Sequence, residues 1–284
     1  MCVRLLLSTQ RAGSYFLKSL IESRFSSIAC TGEVLEEPVA FARQFPALAS
    51  HPEMPLFWLW YEVQAASRSI SVAPGRRLEA FEIYLSQLDN LAKPKNLLVD
   101  VKYNTLRALG GYWDTENGSG DFASFVASRQ IPVLHLIRKN TLRILISHEL
   151  AKKTNVWLRT KERTRAELTP KIRLNAKTIL SEIQSLHRLT ADYQARFSGH
   201  AGYQEMVYEE LVAERERTQN GAHLRTLGQF FAKKPSGVNL SAITCKKITP
   251  EDPAEIVENW GEVLRALHYT EHGWMAQTPL LAAA

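Results

Sequence analysis

The chain has 284 residues, 45% hydrophobic and 23% charged, with 35 Lys and Arg against 29 Asp and Glu for a net charge of +6. This composition excludes a disordered or collagen-like chain and suits a globular protein with a sizeable core, while the modest basic excess fits an anionic ligand. The three cysteines, Cys2, Cys30 and Cys245, are an odd number without paired spacing, which points away from a disulfide framework or a zinc site and towards a reducing cytoplasm.

The first element is also the most informative. Leu5-Leu6-Leu7-Ser8-Thr9-Gln10-Arg11-Ala12-Gly13-Ser14-Tyr15-Phe16 joins a short apolar run, a polar bend and a helix start. Residues 3 to 8 suit a buried strand, Gly13 permits a close backbone approach, and Ser14 is a good cap for a helix over about 15 to 23. Free N–H groups at that helix start, with Arg11 beside them, make a phosphate cradle from Arg11 through Ala12, Gly13, Ser14 and Tyr15. The triphosphate-binding pattern G-x-x-x-x-G-K-[ST] is not present there. The apolar start is too short, and too soon followed by Arg11, for a signal peptide.

Next, the run Ile28-Ala29-Cys30-Thr31-Gly32-Glu33 suits a second strand over residues 27 to 31, whose following Gly-Glu brings Glu33 to the carboxyl edge of a parallel sheet, where open α/β folds bind ligands. A surface Glu after a turn glycine is the plainer alternative. Residues 38 to 92 suit a mostly helical insertion, and its aromatic cluster Phe57-Trp58-Leu59-Trp60-Tyr61 suits core or an acceptor-pocket wall, far short of a membrane span. Asn96-Leu97-Leu98-Val99-Asp100-Val101-Lys102-Tyr103-Asn104 is an apolar strand with a lysine near its end, a costly position unless an anion is close or the side chain snorkels to water. Thr115 to Asp121 is the clearest loop.

Residues 132 to 137 read as a buried strand, and the following helix places Leu142, Leu145, Ile146 and Leu150 on one face. Arg138 and Lys139 at the strand end, with Ser147 two helical turns on, can grip one phosphate from two directions; alternatively the basic pair merely solvates the strand end. The basic stretch from Lys152 to Arg173, with Trp157 inside it, suits a solvated helix face, an acceptor lid or a polyanion groove. A lesser strand is expected near 203 to 208, then helices near 224 to 231 and 256 to 263. Lys246 and Lys247 are placed to reach a nucleotide phosphate or to lie solvated at the surface. His51, His135 and His148 lack metal-ligand spacing, and His135 reads as a satisfied strand histidine.

Together these segments resemble sulfotransferases that use 3′-phosphoadenosine 5′-phosphosulfate, and most closely the bacterial carbohydrate enzymes acting on trehalose and Nod-factor sugars. The resemblance runs from residue 3 to about 270, with gaps at 38 to 95 and 155 to 200. Thr9 to Ser14 resembles their 5′-phosphosulfate loop, Gly32-Glu33 the Gly-Glu of the proposed catalytic base, and Arg138 or Lys139 with Ser147 their 3′-phosphate motif. Lys102 stands at the lysine of the Lys-x-His found in the cytosolic enzymes, with Asn104 at the histidine, which strengthens Glu33 as base.

The resemblance implies a three-layer α/β/α domain over residues 1 to 284 with a mainly parallel sheet of the P-loop kinase arrangement. It implies sulfuryl transfer from that donor to a hydroxyl or amine of a carbohydrate or small metabolite. The product is 3′,5′-adenosine bisphosphate, Arg11 and Lys102 assist, and no metal, nucleic acid or membrane is needed. A small-molecule kinase and a non-catalytic polyanion binder are the competing classes. No heptad or apolar stripe assigns an oligomeric interface.

Overall fold

A computed structural model describes residues 3–36, 56–70, 76–93, 95–106, 109, 122–157, 169–217, 221–235, 250 and 252–277. Five strands form one sheet: β1 Val3–Ser8, β2 Ile28–Glu33, β3 Asn96–Lys102, β4 Val133–Ile137 and β5 Tyr203–Val207. Their order is β2-β3-β1-β4-β5 and every pairing is parallel, so β1 is central and the chain crosses over it between β3 and β4. Parallel strands require crossover connections, and the helices that make them cover both faces.

One face carries Val3, Leu5, Leu7, Leu97, Val99, Val101 and Val133 under helices α2 Phe57–Ala66, α3 Arg77–Ala92, α5 Phe122–Ser128 and α7 Ile179–Phe197. The short α4, Tyr103–Leu106, follows directly on β3. The other face carries Leu6, Leu98, Leu134, Leu136 and Met206 against α1 Ser14–Arg24, α8 Tyr208–Arg217 and α9 Ala222–Phe231. The alternation of odd and even residues between two apolar cores makes three layers, and it explains why these strands read as continuous apolar runs.

A third cluster joins α6 Thr141–Thr154 to α7 and to α10 Trp260–Leu267, through Leu142, Ile146, Ile183, Val263 and Leu267. Asn259 pins it: its amide nitrogen donates to Leu174 O at 2.8 Å, and its amide oxygen accepts from Leu174 N at 3.1 Å. A last turn, α11 Trp274–Gln277, docks on α6 where Asn140 Nδ2 donates to Met275 O at 3.0 Å.

Strand ends at one sheet edge matter most. The register pairs Ser8 with Lys102 and with Leu136, and Glu33 with Asp100. The pairing of β2 with β3 shifts between Cys30 and Glu33, and this irregularity turns the strand end. Ser8, Glu33, Lys102 and Arg138 therefore meet at the carboxyl edge, beside the central strand where connections diverge, which is where open α/β sheets bind ligands.

Candidate functional site

The bend after β1 has two residues with left-handed backbone, Arg11 at φ 64° and Gly13 at φ 97°. The sequence predicts Ser14 as the helix cap, but Gly13 takes that place, because a residue without Cβ is the one that adopts this φ without strain. Ser14 becomes the first helical residue, and α1 begins without a side-chain hydrogen bond to its first-turn N–H groups. Gly13 serves a second purpose: a Cβ there would lie 2.3 Å from Tyr208 Cδ2, so the ring of Tyr208 rests on the loop.

Lys102 is the centre of the site. It is 1% exposed, and its Nζ donates to Asp100 Oδ1 at 2.6 Å, Ser14 Oγ at 2.7 Å and Ser8 Oγ at 2.9 Å. Snorkelling to water is thus ruled out. Glu33 Oε1 lies 3.9 Å from the same Nζ, and the Glu33 side chain is 32% exposed, so one end of the pair is sealed and the other opens outward. Because Ser14 Oγ accepts from Lys102, its own O–H proton is left to donate elsewhere. Burial pushes the Glu33 carboxyl up, Lys102 opposes and Asp100 reinforces, with a net rise above the ordinary carboxylate range.

Two further charges complete this cluster, and sequence reasoning missed both. Asp100, fully buried, receives Lys18 Nζ on Oδ2 at 2.7 Å as well as Lys102 on Oδ1. Lys18 Nζ also donates to Thr31 O at 2.9 Å, and Thr31 Oγ1 accepts from Asp100 N at 3.0 Å, which ties α1 and β3 to the turn that presents Glu33. Burial acts to raise the Asp100 carboxyl, but the two lysines outweigh it and hold it below its usual range. The period of two along β3 already puts Asp100 on the same face as Lys102; for Lys18 the sequence offers no comparable signal.

On the far side of the loop, Arg11 Nε and Nη2 both donate to Ser147 Oγ, at 2.9 and 2.7 Å, while Nη1 donates to Trp157 O at 2.5 Å. The first predicted motif and the second are thus in direct contact through Arg11 and Ser147. Arg138 is buried, donates from Nη1 to Arg11 O at 2.9 Å, and lies 4.7 Å from the centroid of the Tyr208 ring. Its Nε has no partner among the described residues, a buried donor that an anion would satisfy.

Lys139 points the other way: its Nζ is bonded to Glu210 Oε1 at 2.8 Å, and both side chains are more than half exposed. The geometry therefore places Arg138 at the loop and Lys139 outside it. Glu209, another residue without an assigned part in the sequence, accepts Lys139 N and Asn140 N at 3.0 Å each and so fixes the bend that carries Arg138. Ala12 is buried and Tyr15 is 40% exposed at the helix start. Lys246 and Lys247 lie outside the described residues, as do His51 and the 115–121 loop.

His135 has both ring nitrogens bonded, Nδ1 to the Tyr203 hydroxyl at 2.6 Å and Nε2 to the Tyr103 hydroxyl, which makes it a satisfied strand histidine. Among the described residues no group of three or more His, Cys, Asp or Glu is arranged to hold a metal ion, and no helix is long and apolar enough to cross a membrane.

No protein-family model matches the chain, and no curated protein matches it. Among solved structures it is similar to a sulfotransferase from Alicyclobacillus acidocaldarius, at 12% identity and a TM-score of 0.40, covering 95% of this chain and 97% of that one.

Proposed function

We propose that this chain is a sulfotransferase that takes a sulfuryl group from 3′-phosphoadenosine 5′-phosphosulfate and passes it to a hydroxyl or amine of a carbohydrate or small metabolite. One observation carries this reading: a buried, serine-bound lysine faces a partly exposed carboxylate at the mouth of a loop whose helix start lacks a side-chain cap. The lysine and loop suit a leaving phosphate, and the carboxylate suits a base for an incoming hydroxyl. The same region holds two arginines and a serine for a second phosphate, so a donor with phosphate at both 5′ and 3′ positions fits its charge.

In this mechanism an acceptor hydroxyl, a poor nucleophile at neutral pH, gives its proton to a Glu33 oxygen as its electron pair bonds to sulfur. The bond from sulfur to the bridging oxygen breaks, and that pair passes to the 5′-phosphate. Lys102 and the Ser14 hydroxyl stabilise the growing charge, a contribution of order 3 kcal/mol for one preorganised donor. Arg138, through its unpartnered Nε, and Arg11 with Ser147 hold the nucleotide phosphates. An acceptor with a hydroxyl or amine, sugar or otherwise, meets Glu33 from the exposed side.

The test is calorimetric titration with 3′,5′-adenosine bisphosphate, without added metal, of the wild type and of Arg11→Ala, Ser147→Ala and Arg138→Ala. Micromolar binding that each substitution weakens at least tenfold is expected. Binding of magnesium-ATP in preference to the bisphosphate would favour a kinase, and salt-sensitive binding of polyanions alone would favour a scaffold for those.

A further inference from the structure

Lys18 and Asp100 lie behind the groups that touch substrate in the proposed reaction, yet they are more deeply buried than Glu33. The four side chains form a row: Lys18 Nζ to Asp100 Oδ2 at 2.7 Å, Asp100 Oδ1 to Lys102 Nζ at 2.6 Å, and Lys102 Nζ to Glu33 Oε1 at 3.9 Å. Two ammoniums and two carboxylates balance, and only the Glu33 end is open to solvent. Burying charges is costly even when they are paired, so a row of this depth adds little net stability.

We propose that Asp100 and Lys18 are positioning residues that bind Glu33 and Lys102 into one charge-balanced unit, so that a proton arriving on Glu33 leaves a net positive charge beside the phosphate that is becoming more negative. This deepens the sulfotransferase reading and rests on it. The accounting is direct. Before transfer the row is neutral. As the acceptor oxygen bonds to sulfur its proton goes to Glu33, the row becomes +1, and the electron pair of the broken sulfur–oxygen bond adds one negative charge to the 5′-phosphate. The two changes occur on opposite sides of Lys102, whose ammonium is kept in place by Asp100 and by Ser8 and Ser14.

Lys18 contributes at the other end. Its bond to Thr31 O holds the irregular turn before Glu33, so the same ammonium orients both the base and the carboxylate that anchors Lys102. The charged and titratable groups facing Glu33 are Lys102 and Asp100 on β3, Lys18 on α1 and Arg11 in the loop, with Cys30 on β2 close to Lys18. Asp100 acts to raise the Glu33 carboxyl and Lys102, Lys18 and Arg11 act to lower it.

A dianionic phosphate bound beside Lys102 strengthens proton binding at Glu33, so the bisphosphate alone is a sufficient probe and no acceptor is needed. Proton uptake on binding is measured by titrating 3′,5′-adenosine bisphosphate in buffers of different ionisation enthalpy from pH 5 to 8. A His148→Gln background removes the imidazole next to Ser147 as a second proton acceptor. The difference between Glu33 and Glu33→Gln proteins isolates uptake at Glu33. Asp100→Asn should move that difference to lower pH by about one unit, because a neighbouring negative charge is gone, while affinity for the bisphosphate is kept or tightened.

Where Asp100→Asn does not fold, the charge-matched pair Lys18→Met with Asp100→Asn should shift the window in the same direction by a smaller amount. Equal uptake in the Glu33 and Glu33→Gln proteins, or a difference window that neither Asp100 variant moves, overturns the proposal while leaving the sulfotransferase reading intact. Failure of the wild type to bind the bisphosphate overturns that reading and this one with it, and the two failures are told apart by that first titration.

Discussion

At Gly13 two independent constraints coincide, a φ of 97° and the ring of Tyr208, which an added Cβ would approach to 2.3 Å. Gly13→Ala should therefore destabilise the fold by roughly 2–3 kcal/mol, part from left-handed backbone and part from the displaced ring. Tyr208→Ala removes the clash and not the φ, so in urea unfolding Gly13→Ala should cost less in the Tyr208→Ala background than in the wild type, by the packing share alone. Equal stability of Gly13→Ala and wild type would mean the loop relaxes at no cost and that neither constraint holds. The sequence supports a glycine at this bend, but the reason read from it, approach to an anion, is joined by an aromatic contact from a residue almost 200 positions away. A local reading has no access to such a contact. At Ser14 the reverse occurred: its type was informative and its expected capping bond was not made, because Gly13 takes the cap position and the Ser14 hydroxyl, on the first helical residue, accepts from Lys102 instead. Ser14→Ala should thus lower turnover by about 100-fold, as for loss of one oriented donor, with a much smaller effect on bisphosphate affinity.

Elements explain which parts of the site were legible. The five strands are apolar runs bounded by polar turns, and their expected positions match the structure within a few residues, because parallel strands buried on both faces leave that mark. On β3 the alternation places Leu98, Asp100 and Lys102 on one face, so Asp100 was within reach of pattern reasoning once Lys102 was noted. The junction of β4 and α6 was less legible. Its bend is held by Glu209, whose carboxylate takes two backbone N–H groups from a neighbouring segment, and Asn140 caps α6 by accepting from Arg143 N at 3.2 Å. Nothing in the residues around Arg138 indicates that its orientation depends on an acid beyond β5. Glu209→Ala leaves two N–H groups without their acceptor and should cost about 1–3 kcal/mol. It should also weaken bisphosphate binding several-fold through Arg138, whereas Glu209→Gln, which retains one acceptor oxygen, should lose less. Wild-type affinity in Glu209→Ala would show that Arg138 is held by Tyr208 and the Arg11 carbonyl alone.

Across the whole molecule, the face of the sheet opposite the charged row carries a second buried polar chain. Tyr103 at the end of β3, His135 on β4 and Tyr203 on β5 are hydrogen-bonded in sequence, and the Tyr203 hydroxyl continues to Glu205 Oε1 at 2.7 Å. With Tyr203 donating to Glu205, its oxygen accepts from His135 Nδ1–H, and Nε2 is left as acceptor for the Tyr103 hydroxyl, which is the pattern of a neutral imidazole. Burial pushes the His135 pKa down to about 4, with Glu205 opposing only in part. A base whose folded pKa is depressed stabilises the protein fully above its unfolded value, near 6.5, and that stability is lost as pH falls towards the folded value. The gap corresponds to about 3 kcal/mol at 1.36 kcal/mol per unit. Unfolding free energies measured in urea from pH 8 to pH 4 should therefore decline for the wild type between about 6.5 and 4. His135→Gln should be less stable at pH 8, where the three-strand tie is broken, yet show a flatter decline, so that the two curves converge on acidification. Parallel curves would mean that His135 is not the group whose protonation loosens the sheet. The acid limb of any activity profile has to be read against this decline, because protonation of Glu33, whose carboxyl burial pushes up, and loosening of the middle of the sheet both follow from acidification.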